Sequence, residues 1–278
     1  MKTGIIDVGG GMRGIYAAGV LDYCLDNGIA FDLGIGVSAG SANLASFLAR
    51  QPRRNYRFYT EYAMRRKYMS LSNYLRRGSY VDTDYAYGTL SAAGGEYPLN
   101  YPALRDNPAA FLVVATDART GEARYFTKAD LAQDRYDPMK ASSTIPFFSK
   151  PYVIDGVPYY DGALSDPVPV QKALDEGCDK VVVILTKPAS LRRTPEKDEK
   201  LAARIRKQYP MAANAFCRRA ALYNAGVDLA KELQTQGKAV IIAPRDTRGV
   251  DTLTKSREAM KALYEQGYYD ARRIAELG

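Results

Sequence analysis

In the stretch GIGVSAGSAN, residues 34–43, Gly36, Ser38 and Gly40 form a GxSxG pattern. A serine so flanked sits on a sharp strand-to-helix turn with its hydroxyl placed to attack an ester carbonyl. Such a nucleophile needs a proton acceptor, usually histidine. The 278-residue chain contains no histidine. Lysine in SxxK spacing is another acceptor, but here the fourth residue is Ser41. A carboxylate remains. In VPYYDGALSDPVPV, Asp161 ends a strand-like run, and the small Gly162 and Ala163 let the chain change direction abruptly. Asp155-Gly156, a little earlier, reads instead as a hairpin turn. Aspartate is a weak base, with an ordinary pKa near 3.9. It serves if burial raises that value and if it accepts the serine hydrogen bond directly. Ser38 and Asp161 are the candidate dyad. The plainer reading makes Ser38 a helix N-cap and Asp161 a turn residue.

An acyl-transfer serine also needs donors for the negative oxygen of its tetrahedral intermediate. Gly9-Gly10-Gly11-Met12-Arg13-Gly14 could supply them, since successive glycines let backbone N–H groups face a cavity at a helix N-terminus. The same string is GxGxxG after a strand, with Asp32 about 20 residues on, which is also the pattern of a dinucleotide site. On residues alone three readings stand: a serine acyl hydrolase, a nucleotide-binding α/β protein, and a non-catalytic binder of lipids or anions.

The elements that must hold these residues follow from apolar runs. TGIIDV is a buried parallel strand, MRGIYAAGVLDYCLDNG a helix, FDLGIGV a strand, and SAGSANLASFLARQ a helix stopped by Pro52. This β-α-β-α unit calls for a parallel sheet with right-handed crossovers. Residues 53–105 read as a loop-and-helix insertion over one end of that sheet, with YRFYTEYAMRRKYM helical. AFLVVATD is a strand extended by TGEARYFT, PMKASSTIPFF holds a short helix ending near Pro146, and YVIDGVPYYDG is a hairpin. PVQKALDEG is a helix, KVVVILT and KAVIIAP are strands, 197–236 is helical, and 252–277 is a closing helix. No repeat or linker divides the chain, so the expectation is one domain over 1–278, with the motifs in about 3–185 and a basic helical part in about 190–278.

The net charge of +8 is concentrated. Residues 50–77 hold nine basic side chains (Arg50, Arg53, Arg54, Arg57, Arg65, Arg66, Lys67, Arg76, Arg77) and one acid, Glu61. Residues 187–219 hold ten basic residues and three acids. The first block also carries Tyr56, Phe58, Tyr59, Tyr62, Tyr68 and Tyr74, so it is expected to make peripheral contact with an anionic membrane. A solvated helix face is the alternative. Nucleic acid is not expected. Cys24, Cys178 and Cys217 form neither a metal spacing nor a disulfide framework, and no cofactor or metal motif is present. With no signal-peptide pattern and no run of about 20 apolar residues, the expected location is the cytoplasm, at or near the membrane surface.

Together DVGGGMRG, GVSAG and DGA, in this order and spacing, resemble the patatin-like phospholipases over roughly residues 3–185. The resemblance implies a three-layer α/β/α sandwich with a mostly parallel central sheet, related to the α/β hydrolases. It implies lipid acyl hydrolysis without a catalytic histidine, by a Ser–Asp dyad through an acyl-enzyme. Ser38 matches the nucleophile and Asp161 the base. Gly9, Gly10 and Gly11 match the oxyanion loop, with Arg13 at its basic position and Ala39 following the nucleophile. Gly14, Gly36, Gly40, Gly162 and Ala163 match the supporting positions. Val8 and Ala163 stand where many members have glycine.

Overall fold

The computed structural model describes residues 1–146 and 148–277, apart from the side chain of Arg77. Eight strands form one sheet: β1 (Thr3–Asp7), β2 (Leu33–Val37), β3 (Ala110–Asp117), β4 (Ala123–Thr127), β5 (Tyr152–Ile154), β6 (Val157–Asp161), β7 (Lys180–Ile184) and β8 (Ala239–Ile242). Their order is β5-β6-β3-β2-β1-β7-β8, with β4 paired to β3. The pairs β1–β2, β2–β3, β1–β7 and β7–β8 are parallel, whereas β4, β5 and β6 run antiparallel to their neighbours. Ile5, Ile6, Leu33, Ile35 and Val37 are fully buried, because helices cover both faces of the parallel strands. On one face lie α1 (Ile15–Asp26), α2 (Ala39–Leu48) and the helix Arg257–Asp270; on the other lie the helices Val170–Asp175 and Pro210–Thr235. This is the expected three-layer α/β architecture.

The chain winds in both directions from β1, to β2 on one side and β7 on the other. Such a switch point opens a crevice beyond the carboxyl ends of the strands. The glycine loop follows β1, and Ser38 follows β2. Asp161 arrives from an antiparallel strand, and the register explains its place. Val37 pairs with Val114 and Asp161 pairs with Ala115, so Ser38 and Asp161 stand level on opposite sides of β3.

Two expected helices are shorter than their periodicity suggests. The run after Pro52 is α-helical only over Arg54–Arg57 and then widens to a π turn over Phe58–Tyr62. The closing helix begins at Arg257, not 252, because Ser256 caps it by accepting from the Ala259 N–H. The loop before it turns back over the glycine loop, where the Met12 N–H donates to the Thr252 carbonyl (3.1 Å). The three cysteines are free, with Cys24 and Cys178 buried.

Candidate active site

Ser38 has φ 56° and ψ −131°, a strained backbone for a residue with a side chain. It is the N-cap of α2, yet its side chain makes no capping bond. The hydroxyl lies close enough to the Asp161 carboxylate to favour its ionised form. The Ser38 N–H donates to Ser142 Oγ (2.8 Å), and Ser41 Oγ donates to the Ser38 carbonyl (2.7 Å). These bonds hold the elbow on both sides. Ser142 and Ser41 thus act on the Ser38 backbone, and the role of Ser142, 104 residues away in the chain, is one that only three-dimensional proximity reveals.

Asp161 is 3% exposed. Its Oδ1 accepts from the Ala163 N–H (2.9 Å), and its backbone is fixed by Thr144 and Thr116. Burial pushes its pKa up to about 6, against the opposing pull of the Ser38 hydroxyl, the Ala163 hydrogen bond and the charges of Arg219 and Arg193. A carboxylate so placed is ionised at neutral pH and still basic enough to take a proton. Asp155, the competing aspartate, lies in the β5–β6 turn at φ 48°, beside a Gly156 open to solvent.

The glycine loop is locked to the elbow. Gly9 has φ 64°, and a β-carbon there would stand 2.2 Å from the Val37 carbonyl oxygen; one on Gly40 would stand 2.2 Å from the Asp7 carbonyl oxygen. Only glycine lets the two turns approach this closely. The expectation that Gly9 offers an oxyanion donor is revised, because its N–H donates to Asp7 Oδ1 (2.9 Å). The N–H groups of Gly10, Gly11 and Ala39 have no acceptor among the described residues. Arg13 is also placed differently from expectation. Its Nη1 donates to Thr252 Oγ1 (3.1 Å), so it ties the glycine loop to the 252 loop.

Asp7 escaped sequence reasoning, although its place just before the glycines was a usable signal. It is fully buried, and burial raises its pKa to about 6. Asn43 Nδ2 donates to Asp7 Oδ2 (2.9 Å) and to the Gly14 carbonyl (3.0 Å), and Tyr59 donates to Asn43 Oδ1 (3.2 Å). This network joins β1, the glycine loop, α2 and the insertion.

From Ser38 a narrow pocket runs under the insertion. Phe58, Tyr59, Met69, Val81, Leu99 and Met139 give it an apolar lining. Asp32 stands at the opposite edge of the sheet, before β2, where it accepts from the Thr3 N–H (2.7 Å). It cannot reach a ligand at the glycine loop, and the dinucleotide reading loses its second residue.

Part of the basic segment is committed to internal partners. Arg53 pairs with Asp26 (2.5 Å), Arg57 with Glu61 (3.0 Å) and Arg65 with Glu96 (2.5 Å). Arg54 is buried, with bonds to Ser46 and Ser91. Tyr59 and Tyr62 are buried as well. Arg66, Lys67 and Arg76 remain exposed, beside Leu71 (65% exposed), Tyr74 (37%) and Leu75 (77%).

An α/β sandwich with a serine elbow beside a glycine loop defines a class of acyl hydrolase folds. Residues 8–174 match the patatin-like phospholipase family, and the chain belongs to it. Residues 209–276 match a second family described only as a domain of unknown function, DUF6363. The chain is 32% identical over 200 residues to the uncharacterized protein YjjU of Escherichia coli K12, a match covering 70% of this chain and 55% of YjjU. It shares its fold with VipD from Legionella pneumophila, with a TM-score of 0.51, 13% identity, and coverage of 99% of this chain and 66% of that one. The chain therefore spans less than two thirds of either relative.

Proposed function

We propose that the protein is a serine hydrolase of lipid carboxylic esters that works through an acyl-enzyme. Asp161 takes the Ser38 proton as Oγ attacks the ester carbonyl. The negative oxygen is held by the N–H groups of Gly10 and Gly11, with Ala39 beside them. Collapse expels the alcohol, which receives the proton from Asp161. Water then enters, again deprotonated by Asp161, and releases the fatty acid. The apolar pocket beyond Ser38 accommodates the acyl chain. One observation carries this reading: a backbone-strained serine at the end of an apolar pocket, with a buried aspartate close to its hydroxyl.

A fluorophosphonate probe tests it, with Ser38 expected as its only site of attachment. Peptide mapping that finds the adduct on Ser41, Ser142 or Ser143 would overturn the assignment. Across a panel of lipid esters, Ser38→Ala is expected to abolish the turnover that the wild-type protein displays.

Reaching a lipid substrate requires contact with an interface, and the reading extends to the helix Leu71–Arg77. Leu71, Tyr74 and Leu75 share one face of it at i, i+3, i+4 spacing. Exposed Arg66, Lys67 and Arg76 lie near them in the chain, and the flanking Tyr68, Met69 and Val81 line the pocket. Apolar side chains enter the headgroup layer while basic ones meet anionic lipid. Among the described residues, no helix is long and apolar enough to cross a membrane. Binding to anionic vesicles is expected to weaken roughly tenfold or more in Leu71→Asp/Leu75→Asp. Sedimentation with vesicles checks this, and undiminished binding by that variant would remove the helix from the membrane-facing surface.

A further inference from the structure

Near Gly10 and Asp161, basic side chains gather from three separate parts of the chain. Arg13 comes from the glycine loop, Lys187 and Arg193 from the segment after β7, and Arg219 from the helix Pro210–Thr235. That helix packs against the turn Gly162–Leu164, which directly follows Asp161. Arg193 and Arg219 lie close enough for their charges to act on Asp161. Arg13 and Thr186 flank Gly10: a β-carbon on that glycine would stand 3.2 Å from Arg13 Nη2 and 2.6 Å from Thr186 Oγ1.

The acids do not balance this group. Asp198 is engaged by Arg219 (2.5 and 2.9 Å), and Asp251 is the acid that acts on Arg13. Lys187 and Arg193 form no ion pair among the described residues. Arg193 lies over the Tyr223 ring, 4.0 Å from its centroid, which fixes the plane of its guanidinium. The Nε atoms of Arg193 and Arg13 are buried and have no acceptor. A buried guanidinium N–H without an acceptor is costly, and two of them in one cation cluster near Gly10 and Asp161 point to an anionic ligand. The crowding is visible in Lys187, whose pKa falls to about 8 through burial and the charges of Arg13, Arg193 and Arg219. Arg193 falls to about 10 for similar reasons.

We propose that Arg13, Lys187, Arg193 and Arg219 form a subsite for a phosphate group that lies next to the scissile ester in the substrate. Planar guanidinium donors and an ammonium on a flexible stem are the groups that bind phosphate oxygens. The inference rests on the acyl hydrolase reading and adds a selectivity to it: phosphate-bearing acyl glycerols over neutral ones. It also gives a role to the segment of unknown function. Arg219 and Tyr223 lie within residues 209–276, as do Asp251 and Thr252, the partners of Arg13.

The test has a binding arm and a turnover arm, on Lys187→Gln, Arg193→Gln and wild type. Arg192→Gln is the control, since the neighbouring Arg192 pairs outward with Asp228 (2.8 Å). Circular dichroism establishes that each variant is folded. In calorimetry, glycerol 3-phosphate is expected to bind wild type and Arg192→Gln at one site, and Lys187→Gln and Arg193→Gln about tenfold or more weakly. In turnover, 1-acylglycerol 3-phosphate is compared with 1-monoacylglycerol of the same chain in one neutral detergent. The ratio of their kcat/KM values is expected to fall about tenfold in Lys187→Gln and Arg193→Gln, and to hold in Arg192→Gln. Equal glycerol phosphate binding by all four proteins, or none by wild type, overturns the subsite. Weakened binding with an unmoved ratio assigns it to a free phosphate compound and overturns the headgroup role. An equal loss on both lipids means that the cations serve Asp161 and not the substrate. Absence of hydrolysis on every lipid defeats the acyl hydrolase reading, while calorimetry still decides whether the anion site exists.

Discussion

Asp161→Asn is expected to lower kcat by roughly 10²–10⁴ and, at pH 8, to raise the melting temperature. Both effects come from the same burial. An amide keeps the shape of the carboxylate and can still accept from the Ala163 N–H, but it cannot take the Ser38 proton. The stability gain follows from linkage. Burial raises the Asp161 pKa from 3.8 to about 6, so the folded state binds the proton more tightly than the unfolded chain does. As pH rises from about 4 through about 6, the unfolded state releases its proton first and gains stability relative to the folded state. Wild type therefore loses stability across that window, and above it carries the full cost of an ionised buried carboxylate. The asparagine variant carries none of it. Activity runs the opposite way: wild-type kcat/KM is expected to rise with pH through about 6, as the base ionises. Asp7 is raised to a similar value. Asp7→Asn should therefore flatten the stability profile comparably while keeping the acid limb of activity. Asp155→Asn, in an exposed turn, should change neither quantity. Thermal melts and initial rates from pH 5 to 8 check this, and a fully active Asp161→Asn, or one melting below wild type at pH 8, would contradict it.

The parts of the site readable in the sequence are those in which one short segment carries its own constraint. GxSxG and the glycine run are local, because backbone approach at those turns permits only small side chains, so Ser38 and the loop were legible. Asp161 was distinguishable from Asp155 because one ends a strand run and the other sits between two. Partnership across the fold was not legible. Nothing near Arg53 in the chain announces that Asp22 and Asp26 will neutralise it, or that Arg54 will be buried against Ser46 and Ser91. The segment therefore looked more available to a membrane than it is. Asp32 misled in the opposite direction. Its distance from the glycines fits a dinucleotide site, but it falls before β2 rather than after it, and one strand length carries it to the far edge of the sheet. Likewise the Gly9 N–H looked free until Asp7 folded back onto it, and the 252 loop joined the site only through a closing helix that starts later than its apolar pattern suggests.

The glycine loop gives the other large effect. Gly10→Val and Gly11→Val are each expected to lower turnover by about 10²–10³, the usual loss for one oxyanion donor. Gly10 has φ 130°, a conformation closed to valine, and any β-carbon there would meet Thr186 Oγ1 at 2.6 Å. The loop must rotate to relieve that contact, and rotation turns its N–H away from the position of the oxyanion. Gly11 has φ 61°, and its β-carbon would stand 2.5 Å from the Thr252 carbonyl oxygen. Relief there displaces the 252 loop and with it the bond from the Met12 N–H that seats the turn. The Ser38–Asp161 pair lies on β2, α2 and β6 and is touched by neither change. Both variants should therefore retain a proton-accepting aspartate and the same acid limb near pH 6, with a lowered plateau. A lowered plateau separates loss of oxyanion stabilisation from loss of the base, which Asp161→Asn removes. Rates within a few-fold of wild type in both folded variants would mean that the loop does not hold the oxyanion.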